Sequence, residues 1–525
     1  MSQSVLSVSC ACLVSFLAVL CLRSITTWRA RARGRPLPPG PKRIPFLGNP
    51  FSIPRWKPWY GFRDLTARFG EIVYLEAFGQ PLIVLGSPRV LFEFLEKRSA
   101  NTSDRTVSPL LPLVGQDHNF TWMRYGPFWR RHRRAFWQHF HPGVLSKYLP
   151  VQRTIARKFL VKLLEKPGEY RNLIRYNFTA VILEVIYGTK IDDDEDKRIA
   201  VVDDAFAGLR ELTASAQFLL ENMPTLGRLP KWVPRTGFLW TVEKSKAPNE
   251  YMVQEMFDQT KTSIERGEGS PSVISDLLSR IARMSGPEEA SQEERVARGV
   301  ATVAAQGEQG VFSTTEGLFV ALSQHPDVQE KARAELDAIV GPNRLPDWDD
   351  RDSLVYISAI IKEALRWHTV LPLGVSHRTL EDDELDGYFI PAGTTVVPNV
   401  WDCLHNPEIY PEPWRFSPDR YIRDGKLNPD VPDPASLAFG FGRRICPGRH
   451  FAENALFIMV AALLHVFEIG PPLDDDGHPV QIPYEGCHGF VSYPEDCRCT
   501  IKPRSAEAVS LILAAEEKTH AHVKA

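Results

Sequence analysis

The chain has 525 residues, of which 43% are hydrophobic, and this is enough for one very large core or for two or three ordinary domains. Its formal net charge of -2 argues against the strongly basic surface of a nucleic-acid-binding protein, and no acidic binding tail is present. The eight cysteines lack the dense, even spacing of a secreted disulfide scaffold, which favours a reducing compartment.

The first feature along the chain is an apolar segment, residues 4–22, without a charged side chain. As a helix rising about 1.5 Å per residue, it just reaches across the ~30 Å hydrocarbon layer of a bilayer. Arginines follow at positions 23, 29, 31, 33 and 35, and such a cluster stays on the cytoplasmic side. The pattern predicts a single-pass anchor with the rest of the chain in the cytosol. A cleaved signal peptide is the alternative, but the usual basic start is missing.

A proline-rich stretch, residues 37–41, cannot continue a helix and is typical of a stiff spacer. Residues 23–41 are therefore predicted to be a basic, proline-rich hinge between the anchor and a globular region. Residues 69–85 contain glycine breaks between apolar runs of β-forming residues and predict a pair of strands.

Helical periodicity dominates the remaining chain. The predicted helices span residues 129–139, 151–165, 172–188, 295–324, 327–340, 353–369 and 449–467. Polar stretches at 265–270 and 285–294 predict surface loops or a helix connection, and residues 505–525 predict a polar helical tail. The fold is expected to be mainly α with minor β.

A glycine-rich loop at residues 439–448, Phe-Gly-Phe-Gly-Arg-Arg-Ile-Cys-Pro-Gly, brings one cysteine to the start of an apolar helix. On its own, this could be a structural cysteine in a turn. The loop resembles the haem-binding loop of the cytochrome P450 family, F-x-x-G-x-R-x-C-x-G. The matching positions are Phe439, Gly442, Arg444, Cys446 and Gly448.

The resemblance implies that the Cys446 thiolate is the axial ligand of a haem b iron. A thiolate pushes electron density onto the iron and favours O–O cleavage. Backbone amides near the sulfur and a helix N-terminus would keep the thiol ionised. The glycines would let the loop lie close to the macrocycle, and Arg444 would neutralise a haem propionate.

Two further segments resemble motifs of the same family. Glu363 and Arg366 form an E-x-x-R pattern, whose members share one helix face and can pair. Residues 416–421 resemble the F-x-P-x-R-F segment and contribute Arg420. The resemblance implies a buried network of Glu363, Arg366 and Arg420 that fixes the loop around the haem and is structural rather than catalytic.

Trp129 and Arg133 match the W-x-x-x-R pattern of the family, and His377 lies where many members have another propionate partner. The resemblance assigns all three to the haem propionates. The neighbouring arginines at 130, 131 and 134 are candidates for a reductase docking face. Without the family, this arginine-rich helix would indicate a patch for an acidic partner or a membrane surface.

The resemblance covers residues 37–504 and implies one large haem-thiolate catalytic domain, placed at residues 42–504. It implies that the iron takes up two electrons singly, splits dioxygen and inserts one oxygen atom into a lipophilic small molecule. No flavin or NADPH motif occurs in the chain, so the electrons must come from a partner, and the resemblance implies that this partner is an NADPH-dependent cytochrome P450 reductase. Fungal microsomal members are the most similar, which implies the endoplasmic reticulum membrane and a role in secondary-metabolite biosynthesis.

The central helix departs from the family pattern A-G-x-D/E-T-T. Counting back from His325 and Pro326 places Gln309 at the acid and Gly310 at the hydroxyl position, while Thr314 and Thr315 come more than one turn too late. These family residues normally relay protons. A local helix shift, an ordered water or a substrate hydroxyl could compensate. The alternatives are desaturation, coupling, rearrangement or peroxide use, or a non-catalytic haem-binding protein.

Substrate contacts are expected from four segments, residues 106–121, 306–310, 369–375 and 488–491. Their side chains are mostly apolar, which fits an apolar small molecule, although each could equally belong to the ordinary core. The apolar candidates are Leu110, Leu111, Leu113, Val114, Phe120, Val370, Leu371, Leu373 and Phe490.

Overall fold

The computed structural model describes residues 23, 26–107, 111, 112, 114–212 and 246–524. The predicted anchor at residues 4–22 lies outside them, as do Leu110 and Leu113. In the described part of the chain, no helix combines the length and the apolar character needed to cross a membrane.

Helices form most of the described structure, as predicted. They are α1 Pro58–Phe69, α2 Pro88–Leu91, α3 Ser99–Thr102, α4 Pro127–Phe140, α5 Leu149–Glu165, α6 Tyr170–Tyr187, α7 Lys197–Leu212, α8 Met256–Glu265, α9 Val273–Ile281, α10 Pro287–Gln306, α11 Glu308–Gln324, α12 Pro326–Ile339, α13 Val355–Trp367, α14 Val400–Leu404, α15 Ala435–Ala438, α16 Arg449–Val466 and α17 Ala506–Lys524. Helices α4, α5, α6, α12, α13 and α16 each confirm one predicted helix to within a few residues.

The strands form one four-stranded sheet and three two-stranded pairs. They are β1 Ile72–Ala77, β2 Gln80–Leu85, β3 His377–Arg378, β4 Asp383–Leu385, β5 Tyr388–Ile390, β6 Thr395–Pro398, β7 Ile422–Arg423, β8 Lys426–Leu427, β9 Phe467–Gly470 and β10 Thr500–Pro503. The large sheet has the order β1-β2-β6-β3, with β2 and β6 parallel and the other neighbours antiparallel. The predicted strand pair at 69–85 is β1 and β2, in which Val73 lies opposite Val84.

The predicted helix at residues 295–324 is wrong at its start and in its middle. The helical region begins at Pro287, so residues 285–294 are largely helix and not loop. Proline suits a first helical position, and glutamates in the first turn stabilise the helix dipole. The helix then breaks at Gly307, whose backbone N–H is shared between the carbonyls of Val303 and Ala304. Two helices, α10 and α11, therefore meet in the centre of the molecule.

The core is built around α6, whose side chains are buried almost all round, as expected for a helix enclosed by other helices. It packs against α5, α10 and α11. The C-terminal helix α17 lies on α5, and its Ala508, Ile512 and Ala515 are buried in the same core. Residues 505–525, predicted as a separate polar tail, therefore pack on the domain as far as they are described.

The predicted hinge at residues 23–41 is also docked on the domain. Residues 26–32 are helical, and the Trp28 ring meets the edge of the Phe389 ring at 5.4 Å. The Arg31 guanidinium pairs with both carboxylate oxygens of Asp382, at 2.8 and 2.5 Å. The segment is thus held against β4 and β5 at several points.

Candidate active site

A cavity of about 340 Å³ lies between the junction of α10 and α11 and the glycine-rich loop of residues 439–448. Helices α4 and α6 and the loop at residues 119–122 complete its wall. The lining is mainly apolar, as in sites that bind small organic molecules. Its aromatic side chains include Phe120, Trp122, Phe178, Phe206, Phe451 and Phe490.

Cys446 opens onto this cavity from the glycine-rich loop. The Cys446 backbone N–H donates to the Phe439 carbonyl at 2.7 Å, and α16 begins three residues later. Burial raises the pKa of the Cys446 thiol, while the Gly448 backbone N–H and the charges of Arg133 and Arg449 act to lower it. Burial thus opposes ionisation of the thiol, whereas the Gly448 N–H and the two arginines favour the thiolate. A metal cation bound to the sulfur would favour the thiolate further.

Gly442 fixes the start of the loop. Its φ of +53° is a left-handed conformation, and an added Cβ would lie only 2.5 Å from the Ser99 Cβ and 2.6 Å from the Leu95 carbonyl oxygen. The Gly442 N–H donates to the Glu96 carboxylate at 2.5 Å. Glycine is thus required here because both the backbone conformation and the close approach exclude a side chain.

A cluster of cationic side chains lies beside the cysteine. Arg133 lines the cavity, and within the described residues its guanidinium makes no hydrogen bond. The Trp129 indole N–H, one turn earlier on α4, is buried and has no acceptor among the described residues. Burial lowers the pKa of Arg133 to about 10, although the nearby Cys446 acts to raise it. Arg133 therefore remains a cation at neutral pH and faces the cavity.

Arg444 lies over the Trp129 ring at 4.3 Å, and burial lowers its pKa to about 9. Its N–H groups donate to the carbonyls of Ser103, Phe120 and Met123. Its donors hold the loop above the cavity, and the role of Arg444 as a partner of a haem propionate stays a prediction.

Arg105 lines the same cavity and was not singled out from the sequence. Its guanidinium donates to the carbonyls of Val375 and Ser376 at 2.7 and 2.6 Å. The next residue, His377, lines the cavity and bonds through Nδ1 to the Thr102 carbonyl at 2.8 Å. Burial, reinforced by Arg105, holds the pKa of His377 far below its ordinary value, so the ring is neutral.

These residues fit the haem that the sequence motif implies. An iron porphyrin offers a metal for one thiolate and two carboxylates that need cations and N–H donors. The cavity presents the Cys446 thiol, the free donors of Arg133 and Trp129, and the charges of Arg105 and Arg444. The chemistry of this donor set therefore matches the group.

The junction of α10 and α11 forms the opposite wall and carries the residues that depart from the family pattern. The Thr314 and Thr315 hydroxyls donate to the carbonyls of Gly310 and Val311, both at 2.8 Å. Both hydroxyls are thus bonded within their own helix, and Thr314 lines the cavity one helical turn after Gly310. Gly310 lines the cavity, and a Cβ added there would meet no atom within 4 Å.

Gln309 is almost fully buried and is held from two sides. The Tyr493 hydroxyl donates to its Oε1 at 2.7 Å, and its Nε2 donates to the Glu308 carboxylate at 2.6 Å. Glu308 lines the cavity and is 5% exposed. The register from His325 gives the acid position to its neighbour Gln309, so the sequence predicted Glu308 only as part of the substrate-contact segment 306–310.

The structure brings Glu363, Arg366 and Arg420 into direct contact. Arg366 binds both carboxylate oxygens of Glu363 at 2.8 Å, and both side chains are 0% exposed. Arg420 reaches the same carboxylate at 3.2 Å, and the Ser417 backbone N–H donates to it at 2.8 Å. Remaining Arg366 donors bind carbonyls on residues 404–415. The network ties α13 to the segment before the cysteine loop.

The predicted substrate contacts fall into two groups. Phe120, Val370, Leu371 and Phe490 line the cavity. Leu111, Val114 and Leu373 are not among its lining residues, and Leu111 and Leu373 pack in core clusters instead. Trp122 does line the cavity, although the predicted segment ended just before it.

Known proteins resemble this chain over most of its length. The model of the Cytochrome P450 family matches residues 38–494. A cytochrome P450 monooxygenase (COX1) of Coprinopsis cinerea is 36% identical over 489 residues, covering 91% of this chain and 94% of the relative. The tryptamine 4-monooxygenase of Psilocybe cyanescens is 34% identical over 507 residues, covering 95% of this chain and 99% of the relative.

A further relative, cytochrome P450 monooxygenase 105 of Postia placenta, is 34% identical over 508 residues and covers 96% of this chain. Members of this family hold haem through a cysteine thiolate, which agrees with the donor set around the cavity. From the coverage of the family model and of these relatives, the chain belongs to the cytochrome P450 family of monooxygenases.

Proposed function

We propose that this protein inserts one oxygen atom of dioxygen into a lipophilic small molecule, with Cys446 as the ligand of a haem b iron. The observation that carries the proposal is a cysteine that opens onto an apolar cavity beside a cluster of buried arginines. When bound, haem supplies the binding and cleavage of dioxygen with electrons that arrive one at a time.

The chain's own residues would hold this group from two directions. Cys446 provides the thiolate, and the Gly448 N–H and the Arg133 charge stabilise its ionised form. Arg133 and Trp129 offer free donors to the propionates, while Arg105 and Arg444 add positive charge. The neutral ring of His377 fixes the strand that carries it by bonding to the carbonyl of Thr102, the last residue of α3.

The wall opposite the cysteine loop, at the junction of α10 and α11, would determine how protons reach the reacting oxygen. Gln309 is an amide without a titrating proton, and Gly310 has no hydroxyl, so neither can act as an acid. The open space beside Gly310 is suited to a water molecule or a substrate hydroxyl. Glu308 provides a carboxylate one residue earlier on the same wall and can hold a proton there.

A lipophilic substrate is supported by the aromatic lining of the cavity. One relative, the tryptamine 4-monooxygenase, is named for a small molecule. The fungal origin of the relatives supports a role in secondary-metabolite biosynthesis, which is the context we infer for this enzyme.

Electrons would come from an NADPH-dependent cytochrome P450 reductase in the endoplasmic reticulum membrane, where residues 4–22 anchor this chain. Arg130 and Arg134 are exposed on α4 and can contact an acidic partner. Arg131 is engaged on the domain instead, since it pairs with Glu293 at 2.5 Å. The docking face proposed here therefore includes two of the three arginines that the sequence suggested, Arg130 and Arg134, and leaves out Arg131.

The test is the ferrous carbonyl spectrum of the wild type and of Cys446→Ser. The wild type should show the red-shifted Soret band of a thiolate ligand, and Cys446→Ser should lose it while keeping its helical circular dichroism. Turnover is then measured with reductase, NADPH and a host metabolite extract, by mass spectrometry for products that carry oxygen from labelled dioxygen. A red-shifted band that survives in Cys446→Ser would remove this residue from the proposed role.

Non-inserting chemistry, such as desaturation, coupling or rearrangement, is the second candidate, and the replacement of the acid and hydroxyl by Gln309 and Gly310 favours it. It predicts consumption of NADPH, or of peroxide, and products without the oxygen label. A non-catalytic haem protein predicts a normal carbonyl spectrum and no NADPH consumption above that of the reductase alone.

A further inference from the structure

We propose that Gln306 donates a hydrogen bond to an oxygen atom of the substrate, so that the cavity selects an apolar molecule carrying one acceptor oxygen. The inference rests on the proposed monooxygenase function and adds a chemical class to its substrate. It follows from four buried side-chain amides, the amide cluster, which consists of Gln116, Asn119, Asn249 and Gln306.

The amide cluster joins three segments that are distant along the chain. Gln116 and Asn119 belong to the loop before α4, Gln306 ends α10, and Asn249 lies in the helical segment that leads to α8. Each of the four side chains is at most 6% exposed. Among them, Asn119 and Gln306 line the cavity.

Backbone groups at both ends of the cluster fix which amide atoms donate. The Thr121 N–H can only donate, and it bonds to Asn119 Oδ1 at 2.9 Å. Asn119 Nδ2 must therefore donate, and it bonds to Gln116 Oε1 at 2.8 Å and to Gln306 Oε1 at 2.7 Å. With its oxygen used as an acceptor, Gln306 presents its NH₂ group to the remaining partners.

At the other end of the cluster, the Asn249 amide requires the same assignment of donors and acceptors. Asn249 Nδ2 donates to the Ala205 carbonyl, which can only accept, at 2.8 Å. Asn249 Oδ1 is therefore the acceptor that Gln306 Nε2 reaches at 3.2 Å. The two backbone anchors agree, so the donor and acceptor roles of all four amides are determined.

A count of hydrogens then identifies the unused donor at the cavity: Gln116 Nε2 and Gln306 Nε2 each keep one unused N–H within the described structure, and of these two residues only Gln306 lines the cavity. Both N–H groups of Asn119 are used, whereas Gln306 Nε2 has two N–H groups and one acceptor within the described structure. Because Gln306 lines a mainly apolar cavity, a ligand without an acceptor would bury this N–H unpaired, which is unfavourable. A carbonyl, ether or hydroxyl oxygen on the substrate satisfies it.

The experiment compares two ligands that share a carbon skeleton, 4-phenylcyclohexanone and phenylcyclohexane. Their dissociation constants are measured on the haem-loaded protein by competition with 4-phenylimidazole, whose binding changes the haem absorption. The wild type should favour the ketone by roughly three- to tenfold, the range of one hydrogen bond. Gln306→Met should remove this preference by weakening the ketone alone.

Gln116→Met is the matched control. It also deletes one acceptor of Asn119 and one donor to Asn249, but Gln116 is not among the residues lining the cavity. This variant should therefore still bind the ketone more tightly than phenylcyclohexane, even if the protein itself is less stable. Equal ratios in the wild type and Gln306→Met, or equal losses in both variants, would overturn the inference.

Ferrous carbonyl spectra of the same samples separate this inference from the proposed function. A red-shifted band together with no ketone preference would reject the substrate class while leaving the haem-thiolate assignment intact.

Discussion

At the scale of single residues, Gly310 is a position at which this chain differs from its family, because the family pattern has a hydroxyl side chain there. A side chain there has room, since an added Cβ meets no atom within 4 Å. If protons reach the reaction through water beside Gly310, then Gly310→Thr supplies a hydroxyl and should raise the ratio of product formed to NADPH consumed. Gly310→Val has the same shape without the hydroxyl and should not raise it.

The same ratio, measured with a deoxy analogue of the substrate, tests proton transfer by a substrate hydroxyl. In that case the analogue should bind and yet release peroxide, because general acid help is worth about 10²–10⁴ in rate. Ligand binding is measured separately, since either new side chain could displace substrate. If Gly310→Thr and Gly310→Val form equal amounts of product per NADPH consumed, both with the substrate and with its deoxy analogue, proton delivery does not depend on this position.

Single residues also mark the limit of what the sequence could predict. The cysteine loop was predictable because its five matching positions lie within ten consecutive residues of the chain. Arg105 was missed, and the contacts of Glu308 and of the amide cluster were not predicted, because they depend on segments that are distant along the chain. Gln116 and Asn249, for example, are hydrogen-bonded across 133 positions of the chain.

At the scale of elements, the hairpin of residues 485–495 carries one wall of the cavity. Its two arms are joined by the Cys487 N–H, which donates to the Tyr493 carbonyl at 2.6 Å, and its tip brings Phe490 and Val491 to the cavity. Lys57, buried before α1, binds the carboxylates of Glu485 and Glu495 at the base of the two arms. One lysine thus holds both arms.

Lys57→Met should leave the two carboxylates facing each other and loosen the tip. We expect ligand affinity to fall by about three- to tenfold, in line with the ~1 kcal/mol of a partly exposed ion pair. Lys57→Arg keeps the charge and should restore most of the affinity. The measurement is the dissociation constant of 4-phenylimidazole, with the melting temperature as a control. A lower melting temperature with unchanged affinity would limit Lys57 to a structural role.

The contact between α13 and the segment before the cysteine loop depends on a buried ion pair. Arg366→Met leaves the Glu363 carboxylate at 0% exposure with only Arg420 and the Ser417 N–H, and should cost about 3–5 kcal/mol of unfolding free energy with poor haem content. Arg420→Met keeps the Arg366 pair and should cost clearly less. Denaturant unfolding and haem-to-protein ratios measure both. Equal costs would mean that Arg366 is not the central partner.

Helix prediction succeeded where long apolar periodicity decides the structure, as in α5, α6 and α16. It failed at Gly307, where two helices meet, because periodicity continues through the break. It also failed at residues 285–294, whose polar sequence belongs to the solvent-facing start of α10. In both places the information lies in backbone geometry and helix capping rather than in hydrophobic pattern.

At the scale of the whole molecule, the path of the N-terminal chain would set which face lies near a membrane if residues 4–22 are the anchor that the sequence predicts. From the docked segment at residues 26–32, the chain passes β5 and β1, where the carbonyls of Pro36 and Pro39 accept from Phe389 and Tyr74 at 2.8 Å. It then reaches an exposed apolar patch beside the turn between β1 and β2. The patch consists of Ile44, Phe46, Leu47, Phe51 and Phe78.

The patch is contiguous and unusually exposed. The Phe78 N–H donates to the Leu47 carbonyl at 3.0 Å, so both sides of the patch belong to one surface. Phe46 is 97% and Phe51 77% exposed, and Phe46 has a φ of +66°, which is rare for an aromatic residue. Apolar side chains displayed in this way beside a predicted membrane anchor are suited to the interfacial region of a bilayer.

Deletion of residues 1–25 removes the predicted anchor and keeps the docked segment, including the Arg31 pair with Asp382. This form should keep the ferrous carbonyl spectrum and move from the membrane fraction towards partial association with vesicles. Adding Phe46→Asp and Phe51→Asp should release it, and aspartate tolerates the left-handed conformation of position 46. Leu473→Asp, at a leucine that is 52% exposed outside the patch, is the control and should not change vesicle binding. A truncated protein that stays integral would place the anchor elsewhere, and equal sedimentation of the Phe46 and Leu473 variants would reject the patch as the residual contact.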